Sequence, residues 1–300
     1  MTRSKPQPKP AAHSRHPAQP PTVSGRWLLV AIAIVIPGAA FCAWAVLCLL
    51  FWQGSWQLLY HPTSGIAQTP DKASLPFVSI DFAADTAGSP QLHGWWIPGN
   101  PDSHFTAIFL HGADGNLADT LPTLTNLHNA HLNVFAFDYR GYGQSRFVRP
   151  SEARFQQDAE SAIDYLINTR HIPAGSIILV GQGLGAILAV EAANFHPEFA
   201  GVVVDRPIAA PEDIVFNDPR ARLVPARLLV SDRWQISRFD AGLRIPSLWF
   251  TTESANKTGD DPYLRVMARH QRVWLPASSE ANNDFGPALT RWLDDLRPAH

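Results

Sequence analysis

The feature that most constrains this chain is the charge-free run from Trp27 to Trp52, apolar without interruption. As a helix it reaches about 39 Å at ~1.5 Å per residue, enough to cross a ~30 Å hydrocarbon core with tilt. Pro37-Gly38 is expected to kink it, and Trp27, Trp52, Trp56 and Tyr60 sit where interfacial aromatics belong. A cleaved signal peptide is the alternative, because Ala43-Trp44-Ala45 has the small-x-small form. Seven more apolar residues follow that triplet, however, and the run is too long for an h-region. A retained anchor is the preferred reading.

The flanks give the span an orientation. Residues 1–26 carry five bases (Arg3, Lys5, Lys9, Arg15, Arg26), six prolines and no acid, which describes a disordered basic tail. The positive-inside rule keeps that tail cytoplasmic and puts residues 53–300 on the other side, the periplasm in a bacterium. The expected location is therefore the inner (cytoplasmic) membrane, single-pass. The formal charge of −2 hides this split: of 24 Lys+Arg and 26 Asp+Glu, the part after the span keeps 19 bases and all 26 acids. It has no basic stripe for nucleic acid. With 46% apolar and 10% aromatic residues it is not disordered. The two cysteines, Cys42 and Cys48, lie inside the span, which excludes a disulfide framework and a Cys-based zinc site. No histidine pair has metal-ligand spacing, and His13, His16 and His300 lie in the chain ends, so neither metal nor cofactor is expected.

After the span, strands and helices alternate. Strands are expected over residues 77–82, 92–97, 106–110, 132–137, 177–180, 201–204, 247–250 and 272–275. Helices are expected over 116–130, 151–170, 184–194 and 287–296. This order implies right-handed crossovers and a mostly parallel sheet. Residues 207–243 break the alternation and read as a partly helical, lid-like insertion over the carboxyl edge of the sheet.

Three motifs stand at strand ends: His111-Gly112-Ala113-Asp114-Gly115-Asn116, Asp138-Tyr139-Arg140-Gly141-Tyr142-Gly143-Gln144-Ser145 and Gly181-Gln182-Gly183-Leu184-Gly185. Together they resemble the α/β-hydrolase fold, in particular a membrane-anchored branch related to serine aminopeptidases and acyl-protein thioesterase-like hydrolases. Leu92-His93-Gly94-Trp95 and Leu59-Tyr60-His61-Pro62 fit the same branch, and the resemblance covers roughly residues 55 to 298. It implies an α/β fold with a mostly parallel central sheet flanked by helices, acting on esters, thioesters or peptides.

The same resemblance exposes a gap in the chemistry. In the family the third motif is G-x-S-x-G, with the serine lifted above the sheet by a strained turn. Here the serine position is Gly183, and no Ser, Thr or Cys occurs between Ile177 and Val230. The family's acid position falls on Ser254 or Ala255, with Glu253 out of register. The His position falls on Asn282, and residues 271–299 contain no histidine. Asn takes no proton near neutral pH, so the usual general base is missing. Losing Ser or His alone reduces turnover on the order of 10⁶-fold in a well-characterised serine hydrolase. What survives is oxyanion-hole and binding catalysis, roughly 10³–10⁴ over water. The resemblance places the oxyanion donors on the Ala113 and Leu184 N–H groups, in a cradle with His111 and Gly112.

The leading expectation is a non-catalytic pseudo-hydrolase that binds an acyl, ester or peptide-like ligand, or a protein partner. A second is a hydrolase using displaced residues such as Glu253 or Asp114 with water. A third is nucleotide binding, since Gly181-x-Gly183-x-x-Ala186 follows a strand, opens a helix and is followed by Asp205 at the next strand end. Plainer readings apply to the neighbours: His111 orients its loop, Asp138 and Arg140 pin the loop after their strand, Glu191 is an exposed helix position, and one of Trp95 and Trp96 is core while the other is rim.

Overall fold

The structure, a computed structural model, describes residues 24–84, 88–208, 210–236, 242–252, 270–275 and 282–296. The apolar run forms α1 (Gly25–Gly54), which continues through Pro37 and has a mean hydropathy of 2.4. Its side chains are exposed almost throughout, Leu29 at 68% and Ile34 at 67% among them. A helix this long and this apolar is able to cross a membrane. The described residues up to Leu47 form one unit and those from Cys48 onward a second.

In the second unit β1 (His61–Pro62), β2 (Val78–Ala83), β3 (Pro90–Ile97), β4 (Thr106–Leu110) and β5 (Asp114–Gly115) precede α2 (Leu121–Asn129). Then follow β6 (Asn133–Asp138), α3 (Glu152–Asp164), β7 (Ile177–Gln182), α4 (Leu184–Phe195) and β8 (Gly201–Asp205). The short helices α5 (Pro211–Phe216) and α6 (Ala226–Leu229) lie within the segment read as an insertion. They lead to β9 (Ser247–Thr252), β10 (His270–Leu275) and α7 (Asn282–Leu296).

Eight strands form one sheet in the order β10-β9-β8-β7-β4-β6-β3-β2. Only the β2–β3 and β3–β6 pairs are antiparallel. All five residues of β4 are buried, because helices cover both faces. Ile108 and Leu110 point to a core shared with α3 and α4, whereas Ala107 and Phe109 point to one shared with α2 and α7. Each fully buried Leu, Ile or Phe contributes about 1.5–3 kcal/mol, so these two layers fix the strand register. Helix α4 buries nine of its twelve residues, which is why its sequence is almost wholly apolar, with Glu191 and Asn194 at a half-buried edge.

Three helix limits differ from the sequence expectation. The helix expected from Asn116 starts as a 3₁₀ turn, Leu117–Thr120, because the Asn116 side chain accepts from the Ala118 N–H while Asp119 accepts from the Asn116 N–H. The helix expected over 151–170 is α-helical to Asp164 and widens to a π-turn over Tyr165–Thr169. The last helix begins at Asn282 and carries Pro287 inside it rather than at its start. The chain just after α1 also pairs, as β1, with β5 in a two-stranded parallel ladder that periodicity does not announce in two-residue strands.

Candidate functional site

The turn between β7 and α4 is the strand-to-helix elbow. Gly183 occupies it with φ 58° and ψ −115°, a conformation costing an L-residue about 1–3 kcal/mol. The flanking glycines have a different origin. A Cβ on Gly181 would lie 2.2 Å from the Gly185 carbonyl oxygen, and one on Gly185 would lie 2.1 Å from that of Leu110. Gly181 is glycine because the first turn of α4 lies against β7, and Gly185 because that turn lies against the end of β4. A Cβ on Gly183 instead meets nothing closer than the Gly112 Cα at 3.8 Å. The space for a nucleophile exists and the side chain does not.

Gly112 belongs to the loop after β4, so the elbow and the His111–Ala113 loop are in contact. The His111 ring is fully buried, and its Nδ1 lies 2.8 Å from the Gly112 carbonyl oxygen, which only a protonated Nδ1 can satisfy. That bond fixes the Gly112–Ala113 peptide plane and with it the direction of the Ala113 N–H. The Ala113 carbonyl is held twice, by the His61 N–H at 2.9 Å and the Tyr142 hydroxyl at 2.8 Å. The Gly183 N–H donates to the Asp205 carbonyl at 2.9 Å and is not offered to a ligand. Leu184 is the first residue of α4, at the helix end where N–H groups are free of intrahelical partners.

Beneath the loop, His111 Nε2 lies 3.7 Å from Asp138 Oδ1, and neither Nε2 nor Asp138 Oδ2 has a hydrogen-bond partner among the described residues. Burial lowers the His111 pKa to about 4 and raises that of Asp138 to about 7. With the Nδ1–H tautomer, Nε2 turns a lone pair toward a carboxylate, and two acceptors have no bond to make. Asp138 Oδ1 accepts from the Leu117 N–H at 2.9 Å, which ties the two loops together. Arg140 binds the fully buried Asp158 through Nε at 2.6 Å and its backbone N–H at 2.8 Å, pinning the same loop to α3.

The remaining sequence candidates fall as follows. Glu253, Ser254 and Ala255 lie outside the described residues, and Asn282 is the first residue of α7. Asp114 is exposed and pairs with His61 at 2.6 Å. Glu191 is half-buried rather than exposed, and both its carboxylate oxygens accept from the Gln156 amide, at 2.9 and 3.0 Å. Trp95 is buried and Trp96 is half-buried beneath Arg170. Asp205, the acid at the end of β8, is 2% exposed, with its carboxylate held by Arg206 at 2.9–3.0 Å and by Gln182 Nε2 at 2.9 Å. Among the described residues no group of His, Cys, Asp and Glu is arranged to hold a metal. Sequence reasoning missed a cluster of Tyr60, Asp232 and Trp234. Their partners are about 170 positions apart and carry no local signal.

A mostly parallel eight-stranded sheet, helices on both faces and a glycine-flanked elbow after β7 define the class: an α/β-hydrolase fold. The chain belongs to the alpha/beta hydrolase family, whose model matches residues 107–300. It is 36% identical over 239 residues to the Salmonella typhi protein YfhR, covering 72% of this chain and 78% of that one. It is 33% identical over 207 residues to the alpha/beta hydrolase domain-containing protein aho-3 of Caenorhabditis elegans, covering 66% and 58%. Among solved structures it resembles the Pyrococcus furiosus esterase Pf2001, with a TM-score of 0.60 at 16% identity over 78% of this chain and 98% of that one, a likeness of fold.

Proposed function

We propose that this family member is held in a membrane by α1 and binds a ligand at its elbow without hydrolysing it. The observation that carries the reading is Gly183: the turn keeps the shape and the room for a nucleophile, with no oxygen or sulfur to attack. The His111 bond that orients the Gly112–Ala113 peptide, with Tyr142 holding the carbonyl that follows, supports a cradle for an oxyanion or carbonyl oxygen. Ser254 or Ala255 at the acid position and Asn282 at the base position remove the partners that a displaced nucleophile would need. The ligand class is an acyl, ester or peptide-like group, or a protein segment presenting one. The basic tail, by the positive-inside rule, supports an N-terminus in the cytoplasm with the folded unit outside it.

Treating the full chain in detergent with a fluorophosphonate probe, and weighing the intact protein, tests this directly. No adduct is expected on the natural protein. The triple variant Gly183→Ser, Ser254→Asp, Asn282→His is expected to gain one. An adduct on the natural chain would overturn the reading.

A further inference from the structure

A cavity of about 340 Å³ lies where the chain leaves the apolar helix, lined by Trp52, Trp56, Arg149, Arg154, Glu212 and Asp232 among others. None of Gly183, Leu184 or the His111–Ala113 loop borders it, so it is separate from the elbow. Its volume is at the lower end of the roughly 300–1,000 Å³ typical of small-molecule sites, enough for a polar headgroup and a few methylenes.

The wall is chemically sorted. Arg149 donates to the Trp52 carbonyl at 3.0 Å, and Arg154 donates to the Arg149 carbonyl at 2.7 Å. Both guanidinium groups are thus placed by backbone oxygens. Among the described residues the direct arginine–carboxylate pairs are Arg140–Asp158, Arg206–Asp205 and Arg220–Asp218, so Arg149 and Arg154 form no direct ion pair, although Asp232 lies near Arg149 and Asp158 near Arg154. On the acidic side, Glu212 Oε2 is buried with no hydrogen-bond partner. Asp232 accepts from the Tyr60 hydroxyl at 2.6 Å, and that hydroxyl in turn accepts from the Trp234 Nε1–H at 2.8 Å. Burial and the neighbouring Asp232 hold the Tyr60 phenol protonated, so it remains a donor. Two arginines without a direct ion pair and two acceptor carboxylates, one with an unused buried oxygen, face one space between tryptophans.

We propose that this cavity binds the headgroup of a zwitterionic phospholipid of the phosphoethanolamine class, its acyl chains remaining in the bilayer that α1 enters. The phosphate takes charge-assisted hydrogen bonds from Arg149 and Arg154. The primary ammonium donates to Glu212 and Asp232. A choline group has no N–H to donate there, and a glycerol headgroup brings no positive charge to the two carboxylates. Trp52 and Trp56 supply the amphipathic walls that suit the membrane–water boundary. Only the bilayer setting rests on α1 being a membrane span; the headgroup preference of the pocket is independent of it and of whether the elbow is inert.

The test uses the full chain, purified in detergent and stripped of lipid, titrated calorimetrically with dihexanoyl forms of phosphatidylethanolamine, phosphatidylcholine and phosphatidylglycerol, and with inorganic phosphate. The ethanolamine lipid is expected to bind about tenfold more tightly than either other lipid. Arg149→Gln/Arg154→Gln is expected to weaken all three lipids by about tenfold or more. Glu212→Gln is expected to abolish the preference for ethanolamine while keeping phosphatidylcholine binding; as a ratio within one variant, it is insensitive to a loss of folded material. Equal binding of the three lipids, a preference that survives Glu212→Gln, or phosphate alone binding as tightly as the lipid would each overturn the proposal. Resistance of the protein to carbonate extraction from membranes tests the span separately. A soluble protein that still selects ethanolamine would refute the anchor and leave the pocket standing.

Discussion

The elbow and the cavity beside Trp52 are opposites. At the elbow the backbone is specialised and the side chains are absent: Gly183 holds a conformation that favours glycine, in open space, between two glycines that sterics require. At the cavity the side chains are specialised, with Arg149, Arg154, Glu212 and Asp232 converging on one volume. An aromatic cluster separates them: Phe155 packs on Tyr60, Tyr139, Tyr142 and Trp234 with centroids 3.9–5.7 Å apart. The contrast teaches that the features fixed by packing do not depend on a nucleophile at the elbow. Gly181 is fixed by the contact of α4 with β7, Gly185 by the contact of α4 with β4 and His111 by its hydrogen bond to the Gly112 carbonyl, whereas nothing in the fold depends on a hydroxyl at 183.

The comparison breaks most visibly in catalysis. Hydrolysis of esters and thioesters is expected to fall on the order of 10⁶ below a serine hydrolase with an intact triad, measured as kcat on the full chain. Next in size is the pH dependence of the loop beneath the elbow. Because the Asp138 pKa rises from 3.8 to about 7 on folding, the natural protein loses stability as pH rises through that window. Asp138→Asn removes this loss and is expected to gain on the natural chain by as much as about 4 kcal/mol between pH 4 and pH 7 in chemical denaturation. His111 has the opposite sign: its pKa falls from 6.5 to about 4, so His111→Gln is expected to gain on the natural chain as pH falls through that window. Failure of these two slopes to oppose would show that the pair is not buried as described.

Smaller effects sharpen the steric half of the comparison. Gly185→Ala puts a methyl into the Leu110 and His111 carbonyls and is expected to destabilise by about 3 kcal/mol or more. Gly183→Ala pays only for its dihedrals, about 1–3 kcal/mol, in the same thermal or denaturant assay. Equal losses at the two positions would contradict the distinction between a packed glycine and an open one. Smallest is Asp114→Asn, which removes an ion pair whose side chains are 58% and 83% exposed and should change stability by less than about 1 kcal/mol.

Much of this was legible in the sequence because it is local. The buried runs at Thr106–Leu110 and Ile177–Val180 and the motifs at their ends announce a parallel sheet and its elbow, and the glycine at 183 is visible without coordinates. Periodicity placed α3 and α4 but not the 3₁₀ turn ahead of α2 or the π-turn after α3, which depend on a capping side chain and on hydrogen-bond length. The β1–β5 ladder is two residues long on each side and leaves no alternation to read. Nor does any pattern connect Tyr60 with Asp232, or Trp52 with Arg149; those contacts exist only after the chain has returned across the molecule. The cavity was therefore invisible, although each of its residues is ordinary.

The most direct test of the central claim is ester hydrolysis by stoichiometric full-length protein, compared with buffer across pH 6 to 9 (roughly the working window of hydrolase general bases). The account predicts acceleration of no more than about 10³–10⁴ over the uncatalysed rate, unchanged by Asp114→Asn or Glu253→Gln, since it arises from backbone donors and binding. Acceleration of about 10⁶ or more, abolished by a single side-chain substitution, would show that this elbow still belongs to an enzyme.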